Sequence, residues 1–341
     1  DIAGMILKLR TKFAQEDGLN PVHKFCLDTV ADRHLFHSML RIASVAQGMI
    51  TKGQPMIRHL PMFLSGLTAG RSLPSVAPQP FRDILPTIKQ DVPNPKGKIA
   101  IFTGCLLDFV YVDIATDVVK ALNMAGYIVE MPLGQACCGA PATYMGDVEN
   151  AKKAAELNLN AMEAEKYDYI VSACPTCTHA LRDYVDFFKD DPEMLKKAEA
   201  LRSKTFDFCK LVSMLGGLPD TGDGVPMKVT YHDSCHLNRY LGVTKEQREL
   251  LKATKGVELI EMHDCDKCCG FGGSYSVKFP EMSAPILEEK INNIVASGAD
   301  VVAVDCPGCL LQIRGGLDAR GLNNIQVKHT AQIVVEKREK K

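Results

Sequence analysis

Beyond Lys98 the chain alternates short apolar runs with longer stretches whose apolar residues return at helical spacing. "KIAIFTGC" is a brief apolar run closed by Gly104, too short for a helix. "VDIATDVVKALNMAGY" places Ile114, Val118, Val119 and Leu122 on one face and stops at Gly126. "YIVEMP" predicts a second strand, "VENAKKAAELNLNAMEAEK" a helix rich in good helix formers, and "YDYIVSAC" a third strand. The same order returns in "MKVTYHDSC", "TKEQRELLKAT", "VELIEM", "APILEEKINNIVASGA" and "DVVAVDC". Strands alternating with helices predict an α/β fold of parallel βαβ units, built twice. In such sheets ligands sit beyond the carboxyl ends of the strands.

Ahead of this region the pattern changes. Residues 1–72 read as a helical segment: Met5, Ile6, Leu9 and Phe13 recur at helical spacing, and "HLFHSMLRIASVAQGMI" and "PMIRHLPMFLSGL" are apolar and Met-containing. No Asp or Glu occurs from Arg33 through Arg82, whereas Arg33, Arg41, Lys52, Arg58, Arg71 and Arg82 do. A basic, acid-free amphipathic stretch suits a membrane surface or an acidic partner. A core-packed helical hairpin with a basic outer face is the competing expectation. Residues 73–97 hold Pro74, Pro78, Pro80, Pro86, Pro93 and Pro95, which predicts an extended linker. The expected division is therefore 1–72 helical segment, 73–97 linker, 98–222 first α/β domain and 223–341 second.

The cysteines sharpen the duplication. Cys105, the pair Cys137-Cys138 and then Cys174 and Cys177 are matched by Cys235, Cys268-Cys269 and Cys306 and Cys309. The offsets are 130 (235 − 105), 131 (268 − 137) and 132 (306 − 174), so five cysteines recur in one order at nearly constant spacing. Each cluster follows a predicted strand or the turn after it.

Composition adds limits. A chain of 341 residues has room for two cores, and its net charge of −1 gives no global reason to expect nucleic acid. No apolar run reaches the length of a spanning helix, and the first residues lack the layout of a secretory signal. The chain opens on Asp1 rather than Met, which leaves a processed product or a piece of a longer polypeptide as expectations. Thirteen cysteines in an oxidising compartment would form a disulfide framework, but such frameworks serve small domains short of core. Adjacent Cys-Cys and Cys-x-x-Cys in a chain of this size fit metal or redox ligands in a reduced cytoplasm.

Thiolates are soft ligands, and four or more per site suit zinc or an iron–sulfur cluster. Five thiols exceed what tetrahedral zinc accepts. The glycines in "CCGAP" and "CCGFGG" let backbone N–H groups approach bridging sulfurs, and the prolines of "CPTC" and "CPGC" stand where a helix begins. Zinc in one or both sites, or buried structural thiols, are the alternatives. No Gly-rich nucleotide fingerprint or P-loop is present, so electrons would have to be exchanged with a partner.

The succession of Cys, about thirty residues, Cys-Cys-Gly, about thirty-five residues and Cys-x-x-Cys resembles the cysteine-rich CCG domain. That domain is named for heterodisulfide reductase subunits B and D. It recurs in the iron–sulfur subunits of glycolate oxidase, of lactate-utilisation enzymes and of anaerobic glycerol-3-phosphate dehydrogenase. The resemblance covers about residues 98–335, and more loosely "DIAGMILKLRTKF", which is similar to the stretch after the ferredoxin motifs of the last group. It implies tandem CCG domains whose ligands fall on Cys105, Cys137, Cys138, Cys174 and Cys177, and on Cys235, Cys268, Cys269, Cys306 and Cys309. In heterodisulfide reductase such motifs hold noncubane 4Fe-4S clusters that split a disulfide between them. Both motifs are complete here, which supports two clusters without naming a substrate. The two N-terminal ferredoxin motifs usual in this layout are missing, since Cys26 stands alone there. They are expected upstream in a longer polypeptide or in a separate ferredoxin-type carrier.

The resemblance thus implies an electron-transfer or catalytic iron–sulfur subunit, cytoplasmic or peripheral at the inner face of the cell membrane. It would link a flavoprotein dehydrogenase to a quinone or a thiol/disulfide couple. A disulfide-cleaving subunit and a zinc-binding assembly module without redox role are the alternatives. His232 and His236 flank Cys235 and are the candidate catalytic residues, to hydrogen-bond a cluster sulfur or supply a proton when a thiolate leaves. Capping a loop is their structural alternative, and Arg239 and His179 are weaker candidates. Asp233 and Asp305 are expected to cap helices or satisfy loop amides, Cys265 to be a bystander, and Cys26 and Cys209 to be core residues.

Overall fold

The computed structural model describes residues 2–51, 56–57, 72–219 and 224–339. In it two all-parallel sheets account for the alternation. The first joins β1 (Gly97–Ile101), β2 (Tyr127–Glu130), β3 (Tyr169–Ser172) and β4 (Thr205–Asp207) in the order β2-β1-β3-β4. The second joins β5 (Met227–His232), β6 (Val257–Leu259), β7 (Val301–Val304) and β8 (Gln326–Lys328) in the matching order β6-β5-β7-β8. Ile99 lies opposite Tyr169 in one sheet and Val229 opposite Val301 in the other. The parallel α/β expectation holds. Each sheet also has a fourth strand that the pattern did not announce. β4 and β8 are three residues each, Thr-Phe-Asp and Gln-Val-Lys, too short to show any period.

Helices cover both faces of the sheets, so Ile99, Ala100 and Ile101 of β1 and all four residues of β7 are buried. In the first repeat α4 (Val112–Met124) turns Ile114, Val118, Val119 and Leu122 inward. It ends ahead of Gly126, whose φ of 96° is left-handed. Next come α5 (Ala140–Met145), α6 (Val148–Met162, capped by Asp147), α7 (Pro175–Asp183), α8 (Pro192–Lys204) and α9 (Phe208–Met214). The second repeat holds α10 (Glu246–Lys252), α11 (Pro280–Ser297), α12 (Pro307–Ala319) and α13 (Thr330–Glu336).

The repeats trade helices. α9, which closes the first repeat, lies on α10 of the second, and α13 lies on α4 of the first. Lys210 reaches Glu246 across one contact at 2.8 Å, and Gln332 donates to Asp113 across the other at 2.8 Å.

Among the described residues ahead of the proline-rich segment are the helices Ile2–Glu16, Pro21–Ala31 and Arg33–Thr51. The first leaves Ile2, Met5, Leu9 and Phe13 exposed and comes close to the loop after α5. A Cβ on Gly146 would stand 2.5 Å from the Arg10 carbonyl oxygen. The helical expectation for "PMIRHLPMFLSGL" falls outside the described residues except for Met56–Ile57, which pairs antiparallel with Leu73–Pro74. Lys52, Arg58 and Arg71 of the acid-free run also fall outside them. Of its other basic residues, Arg41 pairs with Asp83 at 2.7 Å, and Arg82 turns inward onto Asp108. Among the described residues no helix is long and apolar enough to cross a membrane.

The proline-rich segment is not simply extended. It folds a helical turn at Phe81–Ile84 that buries Phe81 completely. Asp108, itself fully buried, fixes that turn by accepting from the Arg82 backbone N–H (3.1 Å) and from Arg82 Nε (2.7 Å). Removing one partner of a buried ion pair leaves the other charge without compensation. Arg82→Ala is therefore expected to cost about 3–5 kcal/mol in urea unfolding. A loss below about 1 kcal/mol, the worth of a surface pair, would contradict this account.

Candidate metal centres

Both cysteine sets lie at the carboxyl ends of their sheets. Cys105 follows β1, Cys137 and Cys138 stand between β2 and α5, and Cys174 caps α7 with Cys177 in its first turn. In the second repeat Cys235 heads a turn of π-helix at His236–Tyr240, while Cys268 and Cys269 precede α11. Cys306 caps α12, with Cys309 in its first turn. Pro175 and Pro307 occupy the first helical positions, where a missing N–H costs nothing. Gly139 and Gly270 follow the Cys-Cys pairs with φ of 79° and 84°, a left-handed turn that folds each pair back. All thirteen cysteines are free thiols.

Hydrogen bonds join the sulfurs of site 1 and, apart from Cys235, those of site 2. In site 1, Cys105 donates to Cys137 and Cys137 to Cys138, while Cys177 donates to Cys138 and Cys174. In site 2, Cys268 donates to Cys269, and Cys309 donates to Cys269 and Cys306. Cys235 joins site 2 through its charge interaction with Cys306 and Cys269.

The protonation pattern repeats as well. Thiols of Cys137 and Cys177 donate to Cys138 and hold it down to about 6. Those of Cys268 and Cys309 do the same to Cys269, which falls well below the ordinary thiol range. The donors rise in turn: Cys177 and Cys309 by their sulfur bonds and burial, Cys268 by its bond to Cys269. Cys137 receives a bond from Cys105 that lowers it, yet its own bond to Cys138 and burial prevail. Cys306 is lowered by the Cys309 thiol and by backbone N–H groups of the "CPGC" turn. Each site thus keeps the second cysteine of its pair as thiolate.

Buried polar groups hold the loops. Asn158 takes the Ala136 N–H on its Oδ1 (2.8 Å) and donates to the Cys137 carbonyl (2.9 Å), while Tyr184 donates to the Cys138 carbonyl (3.0 Å). In site 2, Ser283 donates to the Gly270 carbonyl (2.8 Å). Lys290 donates to the carbonyls of Asp264 (2.6 Å) and Cys265 (3.3 Å). Lys290 sits far along α11 and Asn158 far along α6, so no local motif marked either of them.

His236 lies between the repeats. Its Nδ1 is 3.7 Å from Cys235 Sγ, and its Nε2 is 2.7 Å from the hydroxyl of Tyr144 on α5. Its ring stacks on Tyr240 and lies near His179, which pairs with Asp183 at 3.2 Å. Burial, with the charge of His179, lowers His236 to about 4, so its imidazole is neutral near pH 7. The Cys235 thiol is pushed up by burial and by the charges of Cys306 and Cys269, so its S–H donates to Nδ1 and Nε2–H donates to the Tyr144 hydroxyl. Tyr144 was not singled out from sequence; its carbonyl also accepts from Arg10 at 2.9 Å.

His232 is buried beside Cys269 and Cys309, and ligand atoms of the three lie within 4.8 Å of one another. Arg239 is exposed. Asp233 and Asp305 are not helix caps. Asp233 takes a two-pronged bond from Arg248 (2.9 and 2.8 Å), and Asp305 accepts from the Tyr231 hydroxyl (2.6 Å), because both carboxylates are buried and need strong donors. The Cys265 thiol accepts from Arg248 at 3.5 Å, turned to that ion pair. Cys209 is fully buried as expected, but Cys26 is exposed on the second N-terminal helix rather than in a core.

The donor chemistry fits a thiophilic group. The sulfurs of each set, Cys235 apart, are hydrogen-bonded to one another and no carboxylate joins them, which suits iron–sulfur or zinc and not a hard cation. Site 2 also holds a buried polar atom without a hydrogen-bonding partner among the described residues, the Ser234 hydroxyl, and His232 turns its imidazole to the Cys269 sulfur. In site 1 a Cβ on Gly104 would stand 3.0 Å from Cys177 Sγ, so only glycine lets the strand end pass so near the sulfur.

The profile of a family described as a cysteine-rich domain, CCG, matches residues 99–182 and again 229–314. The chain is similar to lactate utilization protein A of Shouchella clausii (strain KSM-K16), 39% identical over 240 residues that span 70% of this chain and 99% of that protein. It is 36% identical to the protein of the same name from Bacillus subtilis (strain 168) over 238 residues, 70% of this chain and 98% of that one. Among solved structures, a hypothetical protein from Helicobacter pylori superposes with a TM-score of 0.52 at 11% identity, over 76% of this chain and 54% of that one. This chain thus spans about half of that protein, and the likeness concerns the fold alone.

The neutral imidazole of His236 carries a pH consequence. Its folded value, about 4, lies below its ordinary 6.5, so the unfolded chain takes up the proton first as pH falls. Its contribution is complete above about 6.5 and lost as pH drops towards about 4. In urea titrations across that window, His236→Gln should flatten the acid decline relative to wild type. Identical slopes would contradict the assignment.

Proposed function

The chain belongs to the family of CCG cysteine-rich-domain proteins, with lactate utilization protein A among its relatives, and from that membership we propose that it is an iron–sulfur subunit of an oxidoreductase. Cys105, Cys137, Cys138, Cys174 and Cys177 would hold one cluster, and Cys235, Cys268, Cys269, Cys306 and Cys309 a second. The observation that carries the reading is the gathering of hydrogen-bonded sulfurs at the ends of two like sheets, with the lowered thiol at the same place in each. The resemblance to heterodisulfide reductase favours noncubane 4Fe-4S clusters. When bound, such groups supply one-electron transfer.

The protein's own residues do the rest. The Cys-Cys-Gly turns and helix starts direct backbone N–H groups at the sulfurs, and Lys290 brings positive charge close to site 2. His236, through Nδ1, stands where it can hold a proton next to Cys235. By the chemistry of the relatives' name, the reductant is a small 2-hydroxy acid oxidised by a partner flavoprotein. The electrons pass to a quinone or a thiol/disulfide couple through a ferredoxin-type carrier. The exposed apolar face of the first helix and the exposed Lys8 beside it fit a peripheral site for this assembly at a membrane surface.

Site 2 favours a second reading. His232, Cys269 and Cys309 come close enough to share one ion, and Cys306, bonded to Cys309, could complete a Cys₃His set of the kind that binds structural zinc. Metal analysis separates the two. Protein prepared without oxygen should be brown, contain iron and acid-labile sulfide, and give EPR signals on reduction. Cys138→Ala and Cys269→Ala should each lose roughly half of the iron, because each removes the central thiolate of one cluster. Colourless protein with zinc in both sites would overturn the redox reading.

A further inference from the structure

The two sites match position by position, so a difference at a matched position is informative. β1 enters site 1 through Phe102 and β5 enters site 2 through His232, each three residues before the lone cysteine (105 − 102 and 235 − 232). Both are buried, at 0% and 1% exposure. Phe102 needs no polar partner. His232 offers two ring nitrogens, and the group it hydrogen-bonds is the sulfur of Cys269. A buried imidazole needs a polar partner, and here that partner is sulfur rather than nitrogen or oxygen. The sulfurs of Cys269 and Cys309 are what it faces. One more matched pair repeats the contrast. Gly104 in site 1 corresponds to Ser234 in site 2, and the Ser234 hydroxyl is buried without a partner among the described residues. At both positions site 1 has nothing polar to give, and site 2 has.

We propose that the two sites are electronically unequal and that His232 makes them so, by donating an N–H to sulfur of the group bound at site 2, a contact that Phe102 denies to site 1. This deepens the iron–sulfur reading and rests on it. A hydrogen bond to cluster sulfur stabilises the extra negative charge of the reduced form and raises the potential. Site 2 is then the better electron acceptor, and an electron arriving at site 1 moves on to site 2. The exposed thiol of Cys268 pushes the same way, since solvent near a cluster also favours the reduced form. His232→Phe separates these causes: it copies the site 1 residue into site 2 and leaves Cys268 in place.

The test uses the full chain, prepared without oxygen, with iron analysis, potentiometric titration followed by EPR, and pulsed EPR on protein carrying ¹⁵N-histidine. Wild type should show two resolved midpoints and a histidine nitrogen coupled to the higher-potential centre. His232→Phe should keep its iron, lose the coupling and lower that midpoint alone. At a fixed potential its reduced-to-oxidised ratio should fall at least tenfold, equivalent to about 59 mV. Phe102→His should raise the other midpoint. Iron-loaded wild type without histidine coupling, or unmoved midpoints in His232→Phe, would overturn the inference and leave the iron–sulfur reading intact. Should His232→Phe fail to fold, the wild-type nitrogen coupling decides by itself. Wild type without iron would overturn both.

Discussion

The reciprocal loan of helices between the repeats is the constraint on which the rest depends. Neither sheet covers its own faces completely. The helix that follows β4 lies on the second repeat, and the helix that follows β8 lies on the first. Phe208, Leu211 and Val212 leave with one, Val334 and Val335 with the other, and the buried apolar core runs unbroken through both repeats. Apolar burial of this kind is the main favourable term in folding, and it cannot be kept if the repeats separate. The exchange also fixes the polar join. Asp207 caps one loaned helix, and His329 caps the other through Nδ1 to the Ala331 N–H. With the sheets locked in this way, Tyr144 from the first repeat can meet His236 beside Cys235 in the second at hydrogen-bond distance.

Held in place, the cysteines face an electrostatic problem that the sequence motif does not show. Several buried thiols share few protons, and each thiolate in the set raises its neighbours. The result in each site is a depressed thiol, Cys138 or Cys269, flanked by a donor that resists ionising, Cys177 or Cys309, with Cys306 lowered as well on the far side of Cys309. Such an arrangement stores affinity for a soft cationic centre, because binding replaces shared protons with metal charge and relieves the mutual repulsion. Backbone N–H groups contribute on both sides, as Gly270 does to Cys268 at 3.3 Å. Lys290 serves site 2 alone. Burial lowers its own affinity for a proton, and nearby thiolates partly restore it.

Much of this was legible in the sequence, for identifiable reasons. The central strands and α4 announced themselves because burial forces period and composition, and the five-cysteine pattern survived duplication intact. The fourth strands did not, since three residues carry no period, and with them went the helix exchange, which is a property of the whole chain. The proline-rich segment misled because proline excludes long helices but not the single turn that Phe81 anchors. Asp233 and Asp305 misled because short-range capping is the usual role of an acid beside a loop, whereas these two answer to Arg248 and Tyr231, 15 and 74 residues away. Tyr144, Asn158 and Lys290 belong to no motif. A single buried polar residue in a helical pattern becomes informative once its partner is known.

Duplication leaves two copies that drift apart, and the direction of drift is visible in how each site is covered. In site 1 the turn after the Cys-Cys pair runs into Ala140 and α5, and the residue within the Cys-x-x-Cys is Thr176. In site 2 the matched residues are Phe271 and Gly308, a large residue where the other copy has a small one and the reverse. The two changes are linked: a Cβ on Gly308 would stand 2.7 Å from the Phe271 ring, so the aromatic residue requires the glycine. Gly272 and Gly273 then continue the loop in left-handed conformations, with φ of 50° and 61°, where α5 stands in the first copy. A helix wall has thus been exchanged for one ring and a glycine loop, and Cys268 has become exposed while its counterpart Cys137 is buried. A covalent ligand set can tolerate such loosening because the metal holds the sulfurs. The copy with the thinner cover is accordingly the one whose cysteine sulfur another molecule can reach, while the first copy keeps its matched sulfur enclosed.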